Sequence, residues 1–154
     1  MIMLIHVGGI MKSKYLLFGA ICCFIAALLH LGCIVFGAQW YRFFGAGEHM
    51  AKMAEDGLLE PTIVTSMIVL ILSVWGVYGL SGYGVIPRLP FQKLVLGLIA
   101  CALMLRGIGF PLIMSSFPEN TLTFWLISSS ICLIMGTCFA IGTLSLVKGT
   151  SKSE

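Results

Sequence analysis

Apolar residues along this chain gather into four long blocks, at about 15–37, 62–83, 93–114 and 122–146. Each is close to the ~20 residues that a helix needs to cross a hydrocarbon core of ~30 Å. The pattern predicts an all-α protein: a polytopic, four-transmembrane-helix bundle forming a single membrane domain over 1–154. The first block could be taken for a secretory leader. It is longer than the 7–15 residues of such a segment, and Phe36 breaks the small-x-small pattern before Gln39. It reads as a retained helix. Residues 1–10 read as a short lead ahead of a second start, Met11, so His6 carries little weight; Lys12 and Lys14 then open the first block.

Charges between the blocks set the direction of the chain. Lys12 and Lys14 precede the first block, Arg88 and Lys93 flank the second connection, and Lys148 and Lys152 follow the last block. Glu48, Glu55, Asp56, Glu60 and Glu119 fall in the other two connections. Basic residues mark the cytoplasmic side, so both termini are expected inside a cell inner membrane, in a multi-pass arrangement. Trp40 and Tyr41 then close the first block at the outer face, and Phe124 and Trp125 open the fourth there. Tyr15 and Tyr83 sit at the inner face. Aromatic rings favour both positions.

The connections differ in kind. SGYGVIPRLP, with Pro87 and Pro90, reads as a tight inner turn. The outer loop, 38–61, is the longest. Phe43, Phe44, Met50, Met53, Ala54 and Leu58 approximate one apolar helical face, Glu48 and Lys52 are spaced i,i+4, and Gly57 is a stop. A short amphipathic helix is expected at 46–56, lying at the interface or over the mouth of the bundle. Small residues recur every four positions in two blocks: Gly19, Cys23 and Ala27, then Ser128, Cys132, Gly136 and Ala140. In lipid such stripes let helices approach closely.

One block carries a charge inside it. The third reads KLVLGLIACALMLRGIGFPLIM and holds Arg106. A cation there costs roughly 2.5–3.5 kcal/mol on insertion scales, so it is expected to face a partner, a wet cavity or a ligand. Pro111 has no N–H for the carbonyl of Gly107, and a bend is expected nearby. At 1.5 Å per residue, Arg106, His30 and Ser128, Ser129 and Ser130 all fall roughly 9–12 Å below the outer ends of their helices. The polar residues therefore share one level in the outer half. Histidine and serine in such helices often bond back to their own helix. Arg106 has five donors and no neutral form, so it needs acceptors. The choices are His30, the serines, the Gly107 carbonyl, Glu48 or Glu60, an anionic ligand, or a route along its own stem to the interface.

Composition narrows the chemistry. Of 154 residues, 59% are hydrophobic and 10% charged, against about 25% charged in a soluble domain. Mean hydropathy is +1.07. The net charge of +3 is too small and dispersed for a nucleic-acid partner. The six cysteines lie in apolar stretches without a C-x-x-C pair, which reads as packing rather than thiol relay. With His30 as the one histidine at membrane depth, two-ligand haem is not expected. Glu48 beside His49 is too little for zinc, and no glycine-rich phosphate motif is present. Neither metal nor cofactor is expected.

The stretches GAQWYRFFGAGEHMAKMAEDG, VWGVYGLSGYGVIPRLP, LRGIGFP and FWLISSSICLIMG together resemble a group of short, uncharacterised bacterial four-helix inner-membrane proteins. The chain is also loosely DoxX-like in size and layout. The resemblance implies a bacterial inner membrane and a four-helix bundle, and brings no catalytic residue with it. The Arg/Asn/Glu-rich motif of glutathione-using four-helix membrane enzymes is absent.

The leading expectation is a protein that holds an amphipathic anionic molecule, such as a membrane lipid or a fatty or quinone-like metabolite, in an outer-leaflet cavity. Arg106 would anchor the anion. His30 and Ser128–Ser130 would add hydrogen bonds, with Trp40, Tyr41 and Glu48 at the mouth and the outer loop as a lid. A second reading is an accessory subunit packing its stripes against a membrane partner or a second copy. An enzyme using His30 as acid or base is the third.

Overall fold

The computed structural model describes residues 13–151; the lead at 1–10, His6, Met11, Lys12, Lys152 and Glu154 lie outside them. All regular structure among the described residues is helical. The elements are α1 Lys14–Phe36, α2 Ala38–Phe43, α3 Glu48–Glu55, α4 Glu60–Tyr83, α5 Gln92–Ile108, α6 Phe110–Ile113, a 3-10 turn Met114–Ser116, and α7 Leu122–Ser151. Three helices, α1, α4 and α7, are long and apolar enough to cross a membrane. A fourth span exists if α5 and the segment Phe110–Ser116, bent by 61° against each other, count as one.

Glycines mark where the long helices meet. Gly79 lies on Ala20 and Leu16, and Gly76 on Phe24, so α4 runs antiparallel to α1. Gly107 lies on Leu133 and Gly136 on Met104, which makes α5 and α7 antiparallel. Gly19 against Phe139 and Gly142 against Leu16 tie the two pairs together. A Cβ at any of these six would fall within 3 Å of a neighbouring side chain, so the close approach requires glycine. Of the two small-residue stripes, Gly19 and Gly136 thus meet helices of the same chain.

The main core gathers Leu16, Cys23, Leu96, Ile99, Ala100, Leu103, Met135 and Phe139. A smaller core of Cys33, Tyr41 and Ala51, with Trp40 and Phe44 packed on it, lies at the end of the bundle that carries α2 and α3. Tyr41 and Trp125 are 3% and 2% exposed. They are core residues, and the expected interfacial anchor at these two positions is replaced by packing against neighbouring helices.

The turn between α4 and α5 is organised by Ser81, which is buried. Its hydroxyl donates to Pro87 O at 2.9 Å and accepts from the Leu89 amide at 3.1 Å and Gln92 Nε2 at 2.6 Å. Gly84, at φ +89°, ends α4 in the left-handed conformation that glycine adopts without strain.

Two elements differ from the sequence expectation. The outer loop carries two helices rather than one, because the chain re-enters a helix at Ala38 after one turning residue, Gly37 at φ +73°. The third apolar block does not bend gently at Pro111; it breaks at Gly109. Pro111 sits in the first turn of α6, a position where its missing N–H is tolerated. The Gly109 amide closes α5 on Leu105 O at 2.8 Å, and the Gly109 carbonyl starts α6 by accepting from Leu112 at 3.1 Å.

Candidate functional site

The break at Gly109 leaves Arg106 in the last turn of α5 rather than roughly 12 Å inside a straight span. The negative end of the helix dipole lies there and favours a cation. The guanidinium carbon lies 5.3 Å from the centroid of the Trp125 ring, a cation–π contact. Trp125 is in turn boxed by Phe110, Phe117 and Phe124, with ring centroids 6.4, 6.1 and 5.8 Å away. This box fixes the indole and turns it into a shelf for the arginine.

Each of these two side chains has a buried donor without an acceptor among the described residues. Arg106 Nη1 and Trp125 Nε1 are both buried without a partner. Both residues line the same cavity of about 500 Å³. An unsatisfied buried donor costs ~1–3 kcal/mol, more when it is charged. Two of them on one cavity are an arrangement that an acceptor inside the cavity would relieve.

The cavity is walled by His30 and Cys33 of α1, Tyr41 and Phe44 of α2, and Val64, Thr65 and Ile68 of α4. Ile113 and Phe117 enter from beyond the break, and Met50, Gly45 and Ala46 from the α2–α3 segment. Gly45, at φ +68°, presses so closely on the Phe124 ring that a Cβ would fall 2.2 Å from it. The Gly45 carbonyl also accepts from Asn120 Nδ2 at 2.9 Å. The α2–α3 segment is thereby seated on the start of α7 and roofs the cavity.

The other predicted residues divide. His30 lines the cavity, with Nδ1 2.7 Å from Ala26 O. A carbonyl only accepts, so Nδ1 carries the proton, and in the neutral ring Nε2 is an acceptor. Tyr41 lines the cavity and its hydroxyl accepts from Thr65 Oγ1 at 3.1 Å, which keeps its own proton for another acceptor. Trp40 stands outside, stacked 4.5 Å from Phe36, and buttresses α2 against α1. The serine run does not line the cavity. Ser128 bonds back to Trp125 O at 3.3 Å, Ser130 is exposed, and Ser129 is buried beside Gly107 with no partner for Oγ. Ser129 lies one helical turn on from Trp125, on the same face of α7 but against Gly107 of α5 rather than on the cavity, and Ser128 and Ser130 are rotated off that face.

Glu48 is also diverted. It is bound by Arg42 Nε and Nη2 at 2.8 and 2.7 Å rather than by Lys52, and Arg42 Nη1 reaches Glu55 at 2.7 Å. These hydrogen bonds hold both carboxyls below the usual carboxylate range and raise Arg42. The clasp ties α2 to both ends of α3 on the exposed side of the roof. Glu60 is exposed as well. Among the described residues no acid reaches Arg106.

Sequence reasoning set Trp125 at the outer interface and Thr65 near the outer end of its span, and assigned neither of them nor Phe117 to the site. The available signal was Trp125 at the level of Arg106 across facing helices. A second cavity of about 360 Å³ lies under the α4–α5 turn, but its buried hydroxyl, Ser81, is already engaged. Among the described residues no three His, Cys, Asp or Glu side chains converge on a metal site. No family model, curated protein or solved structure matches the chain.

Proposed function

We propose that this protein holds an amphipathic anionic molecule in the cavity beneath the α2–α3 roof, with the anion on Arg106 Nη1 and Trp125 Nε1. The carrying observation is that the two residues holding these buried donors line one largely apolar cavity, and that neither donor has an acceptor among the described residues. Tyr41 supplies a third donor and His30 an acceptor for any proton left on the head group. The rest of the wall takes the apolar part. The chain crosses a bacterial inner membrane four times, with both termini cytoplasmic, by the distribution of lysine and arginine. The cavity then opens toward the outer leaflet, with α2 and α3 as its lid. The accessory-subunit reading loses support, because the glycines of its stripes are taken up by helices of the same chain.

Mass spectrometry of the protein purified in mild detergent tests the reading. The expected result is an anionic amphiphile retained by the unaltered chain and absent from Arg106→Ala. A chain that retains nothing, or the same molecule at the same occupancy after the substitution, would overturn it.

A further inference from the structure

We infer that the occupant is a single-tailed monoanion, a long-chain carboxylate, rather than a two-chain phospholipid or a phosphate monoester. This rests on the ligand-binding reading above and adds three observations.

The first is charge. Among the described residues, Arg106 is the one lysine or arginine on the cavity wall. A carboxylate carries one negative charge and is balanced by one guanidinium. A phosphate monoester carries about −1.5 to −2 at neutral pH and would keep an uncompensated charge in an apolar cavity.

The second is the placing of polar groups. The donors are Arg106 Nη1, Trp125 Nε1 and the Tyr41 hydroxyl, with Thr65 behind Tyr41. Phe44, Met50, Val64, Ile68, Ile113 and Phe117 offer the occupant only apolar surface. A phospholipid head on Arg106 would set its glycerol and ester groups against these side chains without hydrogen bonds, at a cost. An alkyl chain meets them without that cost.

The third is size. At about 30 Å³ for each water-sized group, a cavity of about 500 Å³ takes roughly 17 such groups. That gives wall for one carboxyl with one long alkyl chain, and the second chain of a phospholipid would lie outside the mouth with no wall to rest on.

The test uses the full chain in nanodiscs of a zwitterionic lipid. The chain has three tryptophans, so Trp40→Phe with Trp75→Phe leaves Trp125 as the reporter at the cavity. Brominated octadecanoate is added and quenching of Trp125 is followed. The expected result is saturable quenching by the carboxylate. Its methyl ester should bind about tenfold or more weakly, since a hydrogen bond to a charged group is worth ~1.5–3 kcal/mol. Arg106→Ala should abolish saturation, and Arg106→Lys should keep part of it. The comparison of acid with ester uses the native cavity, so it stands even if Arg106→Ala fails to fold. Displacement of the probe by phosphatidylglycerol or phosphatidate at equal concentration would overturn the single-tail inference and leave the anion-binding reading standing. Equal binding of ester and acid, or no saturable quenching by any anion, would overturn both.

Discussion

Arg106 rests on an indole face and in the last turn of its own helix, and neither supplies an acceptor for Nη1. That settles the size of the effect to expect from its removal. Breaking a buried ion pair costs roughly 3–5 kcal/mol, but among the described residues no carboxylate reaches Arg106. What Arg106→Ala removes is the contact with Trp125, worth ~0.5–2 kcal/mol, and the packing of its stem. We predict a mutant that stays folded in detergent, with a melting temperature lowered by a few degrees and no bound amphiphile. Arg106→Lys keeps the charge without the planar fork and should restore binding in part. Trp125→Phe keeps a ring under the guanidinium and loses the N–H. It should weaken binding several-fold with little change in melting temperature. A collapse of the fold in Arg106→Ala would instead reveal an internal partner. Arg106 was legible in the sequence because a charge inside an apolar block stands out. Trp125 was not, because an aromatic residue near a helix end looks the same whether it faces lipid or a neighbouring helix.

The roof owes its position to short-range features of the α2–α3 segment. Gly57, at φ +72°, ends α3, and the Leu58 amide returns to Met53 O at 2.9 Å, the Schellman pattern. Ala51 and Met53 of α3 are buried, whereas Phe43 in α2 and Leu58 beyond the end of α3 are exposed, so the apolar face expected from the sequence does not extend to those two. Cysteines placed singly along 46–56 should react with a water-soluble thiol reagent in a helical rhythm, fastest at Lys52 and Glu55 and slowest at Ala51 and Met53. Uniform reaction would contradict a seated roof. The clasp gives this element a pH dependence. Arg42 holds Glu48 and Glu55 below their ordinary values, near 4.3, so their contribution is complete above that value and is lost as pH falls through the lowered ones. The rhythm should persist from pH 8 to 5. Below about pH 4, hydrogen exchange in α3 should quicken. Quickening between pH 7 and 5 would point to another group. The i,i+4 spacing suggested Lys52 as the partner of Glu48; Lys52 acts on it through charge alone, and α2 is why the hydrogen bonds go to Arg42. A helix starting at Ala38 brings Arg42 to α3, and no local pattern announces a helix that restarts after one glycine.

At the scale of the whole chain, hydropathy identified the apolar segments because lipid-facing helices are apolar all round and about as long as the membrane is thick. The break at Gly109 escaped it, since Gly, Phe and Pro keep a segment apolar while ending its helix. With basic residues at both ends and in the second connection, a cytoplasm-active reporter fused after Glu154 should work. A periplasm-active reporter working there would reverse the bundle and place the cavity in the other leaflet. The central claim is that this cavity binds an amphipathic anion through Arg106, and ligand-dependent thermal stability tests it most directly. A ligand that binds only the folded chain stabilises it by about 2.7 kcal/mol at a hundred times its Kd. Titrating octadecanoate into the purified chain in a non-ionic detergent should raise the melting temperature of the unaltered protein, saturating with concentration, and leave that of Arg106→Ala unchanged. An unaltered protein that does not respond, or an Arg106→Ala variant that responds equally, would contradict the account.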